Sequence, residues 1–388
     1  MQKLSPAGGY TLLLISCLTI MVGCILAPGL TSISTQMGVA DKATWLITLP
    51  SLGAVVFAPI AGRVIDNVGA YKSMFVGLFL YGLIGASGVF FHGDYSVFLN
   101  RFLLGAVTAV VMASGTVLIS EWFQGEARLK MIAKQGMSIE LGGVIFLFVG
   151  GVLAEMGWQW PFILYLFAWI FLSMLYLYVP AKSPQIKQQT SNVVDEATKT
   201  SPVKVIYFTA GASMVIFFTI FVTLPILLNT LDFNESQIGA FLSFISLMAV
   251  LTVLVMPKLL SRIGNNGTLI VAFFCYSLSH ISFFFASDLL TLLIGAIFAG
   301  IGFGLSIPLL NHMTIEQSAP SERGKNLSYI TMAIFSGQFL TSFLEFIPGN
   351  SQPVFAIATV FSLLYALYLI ITHTRNNKQT SGVKVEGY

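Results

Sequence analysis

Charged side chains are scarce in this sequence, and that scarcity narrows the class of protein. Only 9% of the 388 residues are charged, whereas 56% are hydrophobic, and the mean hydropathy is +0.86. Soluble domains carry about 25% charged residues because their surfaces must be solvated. The chain therefore lacks a water-facing surface over most of its length, which excludes a soluble globular fold.

Sequence motifs for ATP hydrolysis, nucleophilic catalysis and metal binding are also missing. No Gly-rich phosphate loop, serine nucleophile elbow or His-Glu-x-x-His pair occurs. Cys17, Cys24 and Cys275 lie in apolar runs without metal-ligand spacing, so we interpret them as small buried residues. The longest polar segment has about 22 residues, too few for a soluble catalytic or nucleic-acid-binding domain. We therefore expect no enzyme, ATP-driven pump, cofactor, metal site or nucleic-acid partner.

Long apolar runs take up most of the chain. A helix needs about 20 mostly apolar residues to cross a hydrocarbon core of ~30 Å. Twelve stretches qualify, at approximately 10–30, 45–65, 74–92, 96–119, 134–155, 161–180, 204–229, 237–260, 268–287, 289–311, 327–347 and 353–372. The sequence thus predicts an all-α membrane protein with 12 transmembrane helices.

The distribution of positive charge predicts the orientation. With a cytoplasmic N-terminus, all but two of the 19 Lys and Arg residues fall in cytoplasmic segments or at their helix ends; the exceptions are Lys42 and Arg101. This positive-inside bias requires an even number of spans, so both termini are expected to be cytoplasmic, in the inner membrane of a bacterium.

A polar stretch near the middle of the chain predicts the domain organisation. We interpret residues 181–203 as a cytoplasmic linker. It would separate an N-terminal six-helix bundle at 1–180 from a C-terminal six-helix bundle at 204–372. Residues 373–388 would form a polar, disordered cytoplasmic tail. We expect the protein to be a monomer in the lipid bilayer.

The loop after the second predicted span carries a recognisable motif. Residues 62–72 read G-R-V-I-D-N-V-G-A-Y-K. They resemble the G-x-x-x-D-(R/K)-x-G-(R/K)-(R/K) signature of the major facilitator superfamily. The matching positions are Gly62, Asp66, Gly69 and Lys72, whereas Asn67 and Ala70 replace basic residues.

The resemblance implies a conformational latch. In this family the acidic residue of the motif accepts hydrogen bonds from the start of span eleven, here near Gly324 to Leu327, and locks the outward-facing state. From the residues alone, an ordinary capped turn is the alternative. The length and short outer loops are similar to those of the family's twelve-span drug and metabolite exporters.

An arginine lies inside the fourth predicted span. Residues 99–105 read L-N-R-F-L-L-G, similar to the family's R-x-x-x-G element. Placing Arg101 there costs roughly 2.5–3.5 kcal/mol on insertion scales. Its side chain should face a cavity and meet a carboxylate, a carbonyl, water or a substrate anion. The alternative is an arginine that snorkels to the outer interface.

A glutamate lies deep in the fifth predicted span. Glu140 stands between glycines at 136 and 143, and its charged form would be costly to desolvate. Such a group suits reversible protonation, and we expect proton coupling through Glu140 and, near the outer end of span eleven, Glu345. A permanently neutral structural Glu140 is the alternative. Arg101 and Glu140 should lie very roughly 18 Å apart along the membrane normal, too far for direct contact.

The other residues that we consider candidates for a substrate cavity mostly have sulfur-containing or aromatic side chains. Methionine and phenylalanine adapt to solutes of varied shape, so such a lining suits amphiphiles. Packing or lipid contact is the alternative. Together with Arg101, the candidates are Met21, Cys24, Phe217, Phe218, Gln338 and Asn311.

The sequence predicts a secondary transporter that works by alternating access. We expect proton-coupled export of a small amphiphilic solute, such as a drug or a secreted metabolite like a siderophore. The alternative is proton-coupled uptake of an organic anion or siderophore, with Arg101 as the carboxylate partner. It is favoured slightly because only the final glycine pair, Gly150-Gly151, of the family's antiporter element is kept. A non-transporting sensor or intramembrane enzyme is a remote third hypothesis.

Overall fold

Helices form almost all of the part of the chain that the computed structural model describes, residues 4–181, 203–319 and 322–382. Within it, eleven helices are long and apolar enough to cross a membrane. Their bounds are Pro6–Cys24, Trp45–Val68, Ala70–Phe90, Asp94–Trp122, Gly125–Met156, Trp160–Tyr178, Val203–Thr230, Glu235–Phe284, Leu289–Glu316, Arg323–Phe346 and Ser351–Thr374.

The longest of these helices contains two spans. Glu235–Phe284 has 50 residues, and Gly264 interrupts it with φ 70° and ψ 179°. Glycine adopts a positive φ without the steric penalty that a side chain brings. Residues 235–263 and 265–284 therefore form separate arms, and counting them as spans 8 and 9 confirms the predicted twelve helices. The spans are numbered 1 to 12 in chain order below.

Two helix boundaries differ clearly from the sequence prediction. Span 1 ends at Cys24, and Leu30–Gln36 forms a separate short helix after the Pro28-Gly29 break. The last helix continues to Gly382, so the prediction of disorder is wrong for residues 373–382. Extending an existing helix needs no new nucleation, which lets polar residues follow an apolar span. The predicted linker lies almost entirely outside the described residues.

The span ends form two sides of the molecule. We call the side with the loops at 25–44, 91–93, 157–159, 231–234, 285–288 and 347–350 the far side, and the opposite side, which holds Leu4, the terminus side. On the far side Lys42 pairs with Asp94, and the Gly93 amide donates to the Met37 carbonyl at 2.8 Å. The hydrogen bond from Lys42 to Asp94 raises the pKa of that lysine above its usual value.

The two six-helix halves contact each other through spans 5 and 8 and through spans 2 and 11. Ser243 donates to the Val144 carbonyl at 2.7 Å, and Asn234 donates to Glu155 at 3.2 Å. A Cβ on Gly151 would lie 2.8 Å from the Cα of Gly239, so small residues are needed where spans 5 and 8 cross.

Every side-chain hydrogen bond between the halves, within the described residues, lies either at the middle of the spans or nearer the far side. Among the described residues, none joins the halves nearer the terminus side. The molecule is therefore closed on the far side, and on the terminus side no side-chain hydrogen bond holds the described parts of the two halves together.

Candidate solute-binding cavity

A cavity lies between the two halves near the middle of the spans. It is lined by side chains from spans 1, 2, 5, 7, 8, 10 and 11, and it contains about 50 Å³ of free space. A water molecule needs roughly 10–15 Å³ measured in this way, so the cavity has room for a few waters in this conformation. A larger solute would have to displace side chains or separate the halves further.

Glu140 is the one charged residue lining this cavity within the described part of the chain. Two glycines of span 5 bring it against span 1, because a Cβ on Gly142 would lie 2.9 Å from Cys17 and one on Gly143 would lie 3.1 Å from Ile20. No hydrogen bond or ion pair to the Glu140 carboxyl occurs among the described residues. The group is thus available to a proton or to a solute.

Aromatic rings form the opposite wall. Phe217 of span 7 stacks on Phe303 of span 10 with ring centroids 4.1 Å apart. Phe218 and Phe221, one turn apart, stack at 5.9 Å with an interplanar angle of 13°. The faces of these rings carry partial negative charge, so a wall of this kind attracts cations as well as apolar groups.

The structure brings together some of the residues that the sequence proposed for the cavity. Cys24, Phe217, Phe218 and Gln338 all line it, together with Glu140, which was proposed for proton coupling. Met21 is fully buried in span 1 beside the cavity but is not part of its lining. Asn311 lies near the terminus-side end of span 10, also outside the lining.

Arg101 lies away from the cavity, in the interior of the N-terminal half. Its side chain is fully buried, and its Nη atoms donate to the Tyr165 hydroxyl at 2.9 Å and to Asn100 Oδ1 at 2.8 Å. The guanidinium also lies 5.3 Å from the ring centroid of Phe162. No carboxylate pairs with Arg101 among the described residues. Arg101 therefore neither faces the cavity nor extends to the membrane interface, which are the two positions that the sequence left open.

The remaining two predictions concern the ends of the spans. Glu345 lies on the far side, where it accepts a hydrogen bond from Thr44 at 2.8 Å, and it does not reach the cavity. On the terminus side Asp66 is exposed, and no hydrogen bond to its side chain occurs among the described residues. A Cβ on Gly62, Gly69 or Gly324 would meet nothing within 4 Å. The latch contact is therefore not formed in this conformation, and its role stays a prediction.

Sequence reasoning missed about half of the cavity lining, including Ser51, Ser246 and Phe303. Single hydroxyl groups inside apolar spans usually bond to their own helix, so Ser51 and Ser246 gave no clear signal. Thr44, Thr48 and Ser51 do recur at the i, i+4, i+7 spacing of one helical face, which could have identified a polar stripe on span 2.

Two six-helix halves around a central cavity, closed on one side, are the architecture of a class of membrane transporters. The family model described as Major Facilitator Superfamily matches residues 12–342, with a second match at 206–386. The chain belongs to this superfamily.

Similar proteins transport chemically different solutes. The uncharacterized MFS-type transporter YceJ of Bacillus subtilis is 26% identical over 376 residues, covering 92% of this chain and 94% of YceJ. The multidrug transporter protein MdtP of the same organism is 26% identical over 141 residues, 36% of this chain and 26% of MdtP. The inward-open structure of the xylose transporter XylE from E. coli matches with a TM-score of 0.73 at 16% identity, covering 93% of this chain and 94% of XylE. The family and fold are shared, but the solute has to be inferred from the cavity.

Proposed function

We propose that this transporter exports small amphiphilic solutes in exchange for protons, and that lipophilic monovalent cations are the solute class that its cavity fits best. The observation that carries the proposal is the pairing of one unpartnered carboxyl group, Glu140, with a wall of stacked phenylalanine rings. The multidrug relative MdtP agrees with an exporter of amphiphiles.

The charges around the cavity favour a cation over an anion. Glu140 is the single charged group of the described lining, and four phenylalanines stand around the same space. A desolvated cation over an aromatic face gains about 2 kcal/mol or more, and a nearby carboxylate adds to this attraction. Arg101, which an organic anion would need as its partner, is bonded to Tyr165 and Asn100 inside the N-terminal half.

Exchange at one carboxyl group supplies the coupling. A proton and a cationic solute compete for Glu140, so binding of one releases the other. When the cavity opens alternately to the two sides, this competition moves the proton and the solute in opposite directions. Glu345, near the far side, is the second protonatable group of the proposal.

The proposal includes an orientation in the cell. The positive-inside bias places the terminus side in the cytoplasm of a bacterium, with the protein a monomer in the inner membrane. The conformation described above, closed on the far side, is then the inward-facing one. Solute would enter the cavity from the cytoplasm and leave on the far side.

Purified protein in proteoliposomes tests this function. The vesicles enclose a pH-sensitive dye, and a lipophilic cation such as tetraphenylphosphonium is added under an imposed pH gradient. We expect cation movement against proton movement, with no response to an organic anion of similar size, such as tetraphenylborate. Anion-dependent proton uptake together with indifference to the cation would instead support the uptake hypothesis and contradict the proposal.

A further inference from the structure

Three hydrogen bonds connect span 2 to span 11 across the boundary between the halves. Thr44 donates to Glu345 Oε2 at 2.8 Å, and Ser51 donates to Gln338 Oε1 at 2.7 Å. The Ser342 hydroxyl donates to Thr48 at 2.6 Å and shares its proton with the Phe339 carbonyl of its own helix, also at 2.6 Å. We call these three pairs, Thr44–Glu345, Thr48–Ser342 and Ser51–Gln338, the ladder.

The ladder follows one face of each helix. Positions 44, 48 and 51 lie on one stripe of span 2, and positions 345, 342 and 338 lie on one stripe of span 11. The two helices run in opposite directions, so the pairs line up from the far side inwards. Three of the most buried hydroxyl groups of the interface belong to it, since Thr48, Ser51 and Ser342 are at most 3% exposed.

The outermost pair closes the end of span 2. Thr44 immediately precedes the helix that begins at Trp45, and the backbone amides of Ala43 and Thr44 also face the Glu345 carboxylate. A carboxylate stabilises a helix N-terminus because the first amides of a helix lack partners. Glu345 therefore caps a helix that belongs to the other half.

The innermost pair reaches the cavity. Ser51 and Gln338 both line the cavity, and Gln338 uses its side-chain carbonyl to accept from Ser51. Its NH₂ group makes no hydrogen bond with another described residue, which leaves donors available to a solute. The carbonyl that accepts from Ser51 is also the atom to which an ammonium N–H of a solute would donate.

We propose that the ladder is the far-side gate of the transporter, and that Gln338 couples solute occupancy to the opening of this gate. A solute that hydrogen-bonds Gln338 competes with Ser51 and removes the innermost pair. Opening the far side then breaks one hydrogen bond fewer, so the bound solute favours the far-side-open state. The gate does not depend on the identity of the solute, whereas the coupling step rests on the proposed function.

The first test measures the gate without any solute. Spin labels are attached to Tyr95→Cys in one half and Gln352→Cys in the other, both exposed on the far side. The native cysteines are buried, so the introduced ones label selectively. Pulsed electron paramagnetic resonance then gives the distribution of far-side distances in lipid nanodiscs.

We expect Ser51→Ala to increase the ratio of far-side-open to far-side-closed molecules by about five-fold, the effect of one net hydrogen bond. Thr48→Val should increase it by about two-fold, because the Ser342 hydroxyl keeps its bond to the Phe339 carbonyl. Thr331→Val is the matched control, because the Thr331 hydroxyl bonds only to its own helix in span 11. Size-exclusion profiles and thermal unfolding confirm that each variant is folded. If both ladder variants give the distances of Thr331→Val, the ladder is not the gate.

The second test adds a solute and compares two lipophilic cations. A protonated tertiary amine can donate an N–H to Gln338, whereas a quaternary ammonium ion of the same shape cannot. We expect both to bind, measured by isothermal titration, but only the amine to shift the far-side distances of the wild-type protein. In Gln338→Met, which keeps the side-chain length, the amine should bind without producing this shift.

The outcomes separate the two proposals. Absence of binding by either cation contradicts the solute class and leaves the result of the first test standing. Equal shifts by the amine and the quaternary ion, or an unchanged amine-induced shift in Gln338→Met, contradict the coupling role of Gln338 even if the cations bind.

Discussion

The surroundings of Arg101 and of Glu140 differ, although both are ionisable residues inside membrane spans. The guanidinium of Arg101 lies over two aromatic rings, at 5.3 Å from Phe162 and 5.5 Å from Tyr165, and it donates to two neighbours. The carboxyl of Glu140 faces a cavity lined by phenylalanine rings, and no Lys or Arg of the described residues lies over those rings. The N-terminal half thus contains, between Arg101 and two rings, the kind of cation–aromatic contact that we propose for a solute in the cavity.

The comparison teaches that a charge inside an apolar run has two possible explanations. A charged group that is held by hydrogen bonds and ring contacts, as Arg101 is through its Nη atoms, contributes to the fold. A charged group left without a partner beside free space is available for function. Sequence position alone does not separate the two, because both residues stand in apolar stretches with a glycine within four positions. The variants below separate them by different measurements.

The largest effect is expected for Glu140→Gln. The amide keeps the size of the side chain but cannot release a proton, so proton-coupled transport should fall to the level of empty liposomes. Thermal unfolding should be unchanged, because the Glu140 carboxyl makes no hydrogen bond with the described residues. Glu126→Gln is the control on the same span, at an exposed position paired with Lys130. Unchanged coupled transport in Glu140→Gln would remove this residue from the mechanism.

Arg101→Met should show the opposite pattern. The substitution removes two charge-assisted hydrogen bonds and the ring contacts, and it leaves Asn100 Oδ1 without its donor, so we expect a loss of about 2–3 kcal/mol in the free energy of unfolding. Denaturation in mixed micelles measures it. The affinity for a lipophilic cation should stay within about two-fold of the wild-type value, because Arg101 does not line the cavity. A large loss of affinity at unchanged stability would place Arg101 in the solute pathway.

Much of the fold follows from the sequence, because hydrophobic length and charge bias act locally. The twelve spans could be predicted in this way. Glu140 was proposed for proton coupling and Phe217 and Phe218 for the cavity, and the structure places all three around one space. The location of Arg101 could not, since it depends on Tyr165, which lies 64 positions further along the chain. The ladder was also missed, because Thr48 and Ser342 are ordinary residues until two distant helices meet.

Phe303→Leu tests the aromatic side of the comparison. Leucine keeps an apolar surface but has no ring to face a cation, so the dissociation constant of a lipophilic cation should rise by about three-fold. A neutral amphiphile of similar shape should bind with unchanged affinity, and this solute is the internal control. Tryptophan fluorescence or calorimetric titration gives both constants. An equal loss for the neutral and the charged solute would mean that Phe303 acts through packing alone.

Asp66→Asn concerns a third acidic residue, and its effect should be the smallest. Asp66 is exposed on the terminus side, so the conformation described here gains nothing from its charge. In the opposite state, the predicted latch places Asp66 at the N-terminus of span 11, where a negative charge is worth about 0.3–1 kcal/mol. Asparagine can still accept a hydrogen bond, so the population closed on the terminus side should fall by only about two-fold. The accessibility of a cysteine at Val68→Cys, a position exposed on the same side, measures this population. If Asp66→Asn leaves the accessibility of that cysteine unchanged, Asp66 belongs to an ordinary capped turn and not to a latch.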